Sequence, residues 1–299
     1  MPIPHEQLPP TDRMETTLTR PPINAMRRPP APTQPAATPA PARAGVSFGK
    51  IATKPHGHRV ILYGPGGIGK TTLCASLPGP VAFIDIEGSL APLRLNLEEQ
   101  GLLEKITPVD GVESWAQIRA ALNSSGWDGI KTIVIDSATK AEELCIAHTL
   151  ESIKTEKGIT PRSVEDYGYG KGFTHVFETF LPLLQDLDRH SREGRNVVLI
   201  CHDCTSNVPN PNGEDWLRYE PRLQSPASGK ASIRLRVREW ADHVLFLGYD
   251  VAVSKDGKGQ GAGTKTLYTS ELPHCMAKSR SISDAIPLDG GEFWSRIIR

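Results

Sequence analysis

The run GPGGIGKTT, residues 64–72, holds the strongest chemical signal in this 299-residue chain. Gly64, Gly69, Lys70 and Thr71 fit G-x-x-x-x-G-K-[ST] without a gap, the spacing of a loop whose backbone N–H groups curl around phosphate oxygens. Glycines permit that curl because they adopt backbone angles closed to other residues. The whole run, Gly64, Pro65, Gly66, Gly67, Ile68, Gly69, Lys70, Thr71 and Thr72, is therefore expected to hold a nucleotide. Lys70 is expected to carry its charge to the β- and γ-phosphates, and the short Thr71 hydroxyl to ligate Mg²⁺. The other reading is an ordinary glycine-rich turn, but the run follows the apolar RVILY and precedes TTLCASL, a strand-then-helix setting.

A phosphate loop of this kind also needs a carboxylate at the end of a buried neighbouring strand to hold the metal. KTIVIDS puts Asp136 there, with the start of the following helix as a second role for Asp136 or Ser137. Cys201 and Cys204 flank His202 in a CxxC. No second such pair completes four ligands, so zinc is not expected.

Taken in order, GPGGIGKTT, VAFIDIEGS, TIVIDS, VVLICH and AKSR resemble the RecA family over about residues 56–285. Among its members the chain is most similar to the compact phage- and prophage-type ATP-binding proteins of the single-strand annealing and recombination class. The resemblance implies that Glu87, 17 residues after Lys70, orients or deprotonates the attacking water. A carboxylate at a strand tip can face the γ-phosphate and accept a proton; a solvent-exposed acid beside a glycine turn is the alternative. In a regular strand Asp85 would share the face of Glu87, deeper in the sheet. The resemblance also makes His202 a polar sensor of the γ-phosphate, where RecA itself has glutamine; a buried histidine with one backbone bond is the other reading. Lys278 and Arg280 match a Lys-x-Arg element that reaches a neighbouring subunit's nucleotide, against the reading of a solvated basic pair. ATP, Mg²⁺, homo-oligomers with nucleotide at the interface, and single-stranded DNA are the implied ligands and partners.

These residues need a frame. Val- and Ile-rich runs at residues 59–64, 81–86, 132–136, 196–201 and 243–247 read as buried parallel strands. Residues 115–122, 138–153 and 173–187 read as helices, the last with Pro182 as a kink. Residues 244–253 and 264–269 flank the Gly-rich SKDGKGQGAG and read as an antiparallel hairpin. The expected fold is α/β, a RecA-like P-loop NTPase with a mostly parallel central sheet, flanking helices and C-terminal antiparallel strands.

Twelve of the 26 prolines fall in residues 1–50, which read as a disordered proline-rich arm ahead of one ATPase domain, residues 51–299. The 34 basic residues balance the 34 acidic ones, so bulk charge argues for neither nucleic acid nor membrane. Five cysteines without a secretory leader, and no run of about 18 apolar residues, suggest a soluble cytoplasmic protein.

The resemblance implies that single-stranded DNA is gripped by two loops, and the corresponding stretches here mix basic and aromatic residues, as single-strand binding requires. One is 157–172, with Arg162, Tyr167, Tyr169 and Lys171; the other is 203–221, with Trp216, Arg218 and Tyr219. The alternative for these aromatics is closure of a core edge. The expected function is a Mg²⁺-dependent ATPase acting on single-stranded DNA in phage recombination, annealing or replication. A nucleotide-gated interaction protein and a ring helicase or loader are the other candidates.

Overall fold

The computed structural model describes residues 56–253, 259–288 and 293–298, so the proline-rich arm and residues 254–258 lie outside the described residues. In chain order the elements are β1 (Arg59–Tyr63), α1 (Lys70–Ala75), β2 (Val81–Asp85), α2 (Leu90–Glu99), β3 (Ile106–Pro108), α3 (Trp115–Asn123), β4 (Thr132–Asp136) and α4 (Ala138–Ser152). There follow α5 (Lys171–Arg192), β5 (Asn196–Cys201), β6 (Asp203–Val208), β7 (Trp216–Pro221), α6 (Ile233–Trp240), β8 (His243–Val253), β9 (Gly259–Tyr268), β10 (Ile286–Pro287) and α7 (Trp294–Ile297).

Eight strands form one sheet in the order β10-β9-β8-β1-β5-β4-β2-β3. From β8 to β3 all neighbours are parallel, while β8, β9 and β10 pair antiparallel. The central strands are buried on both sides, which is why they read as continuous apolar runs. Alternation still sorts their side chains: Ile61 and Tyr63 enter the core under α3 to α6, and Val60 and Leu62 enter the opposite core with Ile68, Leu77 and Trp294. Each such large side chain contributes about 1.5–3 kcal/mol when buried.

α5 runs through Pro182 for 22 residues as one continuous helix. Its buried stripe of Val176, Phe180, Leu184 and Leu187 recurs every three or four positions, and this packing outweighs the missing N–H.

The topology aligns four loop-bearing strand ends. Tyr63 of β1 pairs with Cys201 of β5, and Asp136 of β4 lies beside both Ile200 of β5 and Asp85 of β2. β5 thus separates the glycine-loop strand from the Asp136 strand, leaving room for a ligand between their tips.

Candidate functional site

The glycine loop leaves β1 at Gly64, where a Cβ would overlap the carbonyl oxygen of Leu247 on β8. Gly67 and Gly69 sit at φ +73° and +105°, left-handed angles that L side chains rarely adopt. α1 follows at once, with Lys70 its first residue.

Lys70 is 7% exposed, and its Nζ donates to the carbonyl oxygens of Gly64 (2.7 Å) and Pro65 (2.9 Å). Burial lowers its pKa, and the charges of Asp136, Asp203 and Glu87 only partly oppose that. A buried ammonium satisfied by carbonyls alone favours an added anion.

Thr71 Oγ1 donates to Asp136 Oδ2 at 2.7 Å, joining the start of α1 to the tip of β4. Asp136 is 2% exposed, and burial pushes its carboxyl up to about 6 against the Thr71 bond. One hydroxyl and one buried carboxylate are hard oxygen donors, the set that suits Mg²⁺. The two residues fit that ion by chemistry and by separation.

Glu87 stands across the same opening. Its Oε1 accepts from the Ser137 hydroxyl and lies 2.9 Å from His202 Nε2. Burial alone would raise its pKa, but the hydrogen bonds of Ser137 and His202, with the His202 and Lys70 charges, hold it below the usual carboxylate value. An ionised carboxylate follows at neutral pH. The backbone N–H groups of Ile86 and Glu87 both reach the Asp136 carbonyl, at 2.7 and 3.2 Å, fixing the Glu87 segment to the end of β4.

Asp85 departs from expectation. β2 ends at Asp85, whose carboxylate accepts from the backbone N–H groups of Ser89 and Leu90, both at 2.9 Å. It therefore tethers the start of α2 rather than backing Glu87, because the chain turns at Gly88 with φ +72°.

Gly66, Gly67, Gly69, Lys70, Thr71 and Thr72 share one cavity of about 270 Å³ with Glu87, Asp136 and His202. Lys278 and Arg280 lie elsewhere. Lys278 pairs with Val244 in β8, and its Nζ donates to the Arg238 carbonyl at the end of α6 (2.7 Å). Arg280 Nε is 3.4 Å from Asp242 Oδ1 at the start of β8.

The two stretches assigned to DNA are more structured than a loop. β6 and β7 form a two-stranded sheet, within which Arg218 is 9% exposed and ion-paired to Glu220 and Glu271. Tyr219 stacks on Phe246, ring centroids 5.1 Å apart. Tyr167 is buried, its hydroxyl donating to the Thr149 and Ile153 carbonyls, and Lys171 pairs with Glu156. Tyr169 and Trp216 remain exposed.

Cys201 is fully buried in β5, and burial pushes its thiol far up. Cys204 Sγ lies 3.6 Å from the Glu220 carbonyl. Two contacts gave no sequence signal. Ser137 meets Glu87 from 50 residues away, and Lys265 of β9 donates to the Ile68 carbonyl of the glycine loop at 2.7 Å.

A family model described as an AAA domain matches residues 56–281. The chain belongs to the AAA domain family. No curated protein matches it. Among solved structures, the flagellar accessory protein FlaH from Methanocaldococcus jannaschii is similar at 12% identity, over 72% of this chain and 78% of that one, with a TM-score of 0.36. With its glycine loop at the tip of β1 and its sheet closing in antiparallel strands, this AAA domain has the RecA-like P-loop NTPase fold. Among the described residues no helix is long and apolar enough to cross a membrane.

Proposed function

We propose that the protein is a Mg²⁺-dependent ATPase that assembles into homo-oligomers and acts on single-stranded DNA in phage recombination, annealing or replication, in the cytoplasm. Its catalytic unit is one domain, residues 51–299, carrying residues 1–50 as an arm. The observation that carries the reading is the Thr71–Asp136 pair, 2.7 Å apart, beside the Glu87–His202 pair in the cavity that Lys70 also enters.

In this reading the glycine-loop amides and Lys70 bind the β- and γ-phosphates. Thr71 and Asp136 would hold Mg²⁺, whose charge would neutralise that of the phosphates. Glu87 accepts the proton of the water that attacks the γ-phosphorus in line with the leaving oxygen. Ser137 and His202 fix the carboxylate's direction and keep it ionised. Lys278 and Arg280 act across the subunit interface, on the nucleotide of a neighbour.

The DNA role is supported by the exposed rings of Tyr169 and Trp216, which offer faces for unstacked bases, with the exposed Arg162 supplying charge in the same stretch as the first. Steady-state ATP hydrolysis with and without single-stranded DNA, across protein concentration at fixed salt, tests the reading. DNA stimulation that steepens with concentration is expected. Slow turnover indifferent to DNA would replace it with a nucleotide-gated interaction protein.

A further inference from the structure

His243, the first residue of β8, is a buried polar side chain outside the glycine-loop cavity. It is 1% exposed, and both ring nitrogens have partners: Nε2 lies 3.0 Å from His58 Nδ1, and Nδ1 lies 2.9 Å from Ser279 Oγ. His58 is fixed in turn by the sheet. Its backbone N–H donates to Asn196 Oδ1, and its carbonyl accepts from the Val197 N–H, both at 2.9 Å. A chain of hydrogen bonds therefore leads from β5 through His58 and His243 to Ser279, the residue between Lys278 and Arg280.

Those two cations are tied down very differently. Lys278 exchanges two backbone hydrogen bonds with Val244, at 2.7 and 2.8 Å, and its Nζ is turned back to the Arg238 carbonyl of its own subunit. The pairing with β8 ends there, so Arg280 has no strand partner among the described residues. Its Nε stands 3.4 Å from Asp242, whose oxygens already accept from the backbone N–H and the guanidinium of Arg59. A carboxylate so occupied holds an exposed arginine weakly. Ser279 fixes the backbone instead: besides meeting His243, its Oγ accepts from the N–H groups of Ser281 and Ile282, both at 3.3 Å, and so shapes the turn that carries Arg280.

Burial, with His58 beside it, pushes the His243 pKa down to about 4 against the pull of Asp242. The ring is neutral at pH 7, with one nitrogen donating and the other accepting. A neutral ring can hold Ser279 without repelling the two cations that flank it. We propose that Ser279, anchored by the His58–His243 pair, positions Arg280 for the nucleotide of the neighbouring subunit. Ser279 and His243 are positioning residues that act through Arg280. The inference rests on Arg280 acting across the subunit interface, as proposed above.

The test is a cycle of Ser279→Ala, Arg280→Ala and the double variant in the full chain, with steady-state ATP turnover and ATP affinity measured for each. Ser279→Ala is expected to lower turnover about 10-fold at unchanged ATP affinity. The double variant should be as slow as Arg280→Ala and no slower, because the serine has nothing to position once the arginine is gone. Mixing with Lys70→Ala subunits, which keep Ser279 and Arg280, should return turnover to Ser279→Ala as to Arg280→Ala. A double variant slower than Arg280→Ala by the full Ser279→Ala factor would mean that Ser279 acts through the fold at large, and would overturn the proposal. So would wild-type turnover in Ser279→Ala beside a slowed Arg280→Ala, a loss of ATP affinity in Ser279→Ala, or recovery on mixing for Arg280→Ala alone; each of these leaves the interface reading standing. Arg280→Ala turning over at the wild-type rate removes the interface reading and this inference together.

Discussion

Glu142 shows how burial sets chemistry one residue at a time. It is 8% exposed on α4, with its Oε1 accepting from the Gln224 N–H at 2.7 Å, and burial pushes its carboxyl up to about 7. The unfolded chain titrates the same group near pH 4.3. Between those values the native state binds the extra proton, so this group's contribution to stability is complete below the lower value and is lost as pH rises through about 7. Glu142→Gln keeps the acceptor for Gln224 and removes the charge. It is expected to raise stability by about 2 kcal/mol at pH 8, with the gain vanishing near pH 4 in denaturant titrations. A gain independent of pH would contradict the assignment. Glu87 illustrates the opposite balance, because its two hydrogen bonds and the charges of His202 and Lys70 together outweigh its burial. At this scale the sequence was informative where one local motif fixes geometry, as at Lys70 and Thr71. It was silent on Ser137 meeting Glu87, since that contact depends on how β2 and β4 are paired.

Elements carry these residues to the site, and Ser137 belongs to both scales. Its hydroxyl oxygen accepts from Lys140 N at 3.1 Å, capping α4, while its proton goes to Glu87. Ser137→Ala is expected to cost about 1 kcal/mol through the lost cap. It should also raise the Glu87 pKa, moving the acid limb of the ATPase pH profile to higher pH; an unmoved limb would show that the Glu87 contact does not matter. The central strands were legible because burial on both faces leaves an unbroken Val and Ile pattern, as in TIVID and NVVLIC. α2 was not legible: only Leu97 of its ten residues is buried, and Pro92 reads as a breaker although it sits in the first turn, where no N–H is needed. α6 hid behind its arginines, yet Ile233, Val237 and Trp240 follow helical spacing into the core. β6 and β7 read as a loop because polar residues interrupt both strands; Arg218 then turns inward to Glu220 and Glu271.

For the whole molecule, the proposed assembly makes turnover depend on contacts between subunits. Arg280 is 64% exposed at its side chain and, among the described residues, ion-paired with Asp242 alone, so Arg280→Ala should change stability by less than about 1 kcal/mol. Its activity loss should be recovered by mixing with Lys70→Ala subunits, which keep Arg280 but lack the phosphate lysine. Failure of mixed subunits to regain turnover would exclude action across an interface. The fold class was readable from strand and helix alternation, and the antiparallel closure from the Gly-rich connection between β8 and β9. The partner surfaces were not, because exposure of Tyr169 and burial of Tyr167 are set by tertiary packing that composition does not encode. Glu87→Gln decides whether the cavity is a hydrolytic site, with nucleotide affinity and ATP turnover measured on the same preparation. Affinity within about threefold of wild type and turnover lowered about 100-fold are expected; turnover at the wild-type rate would contradict the role of Glu87 as the base.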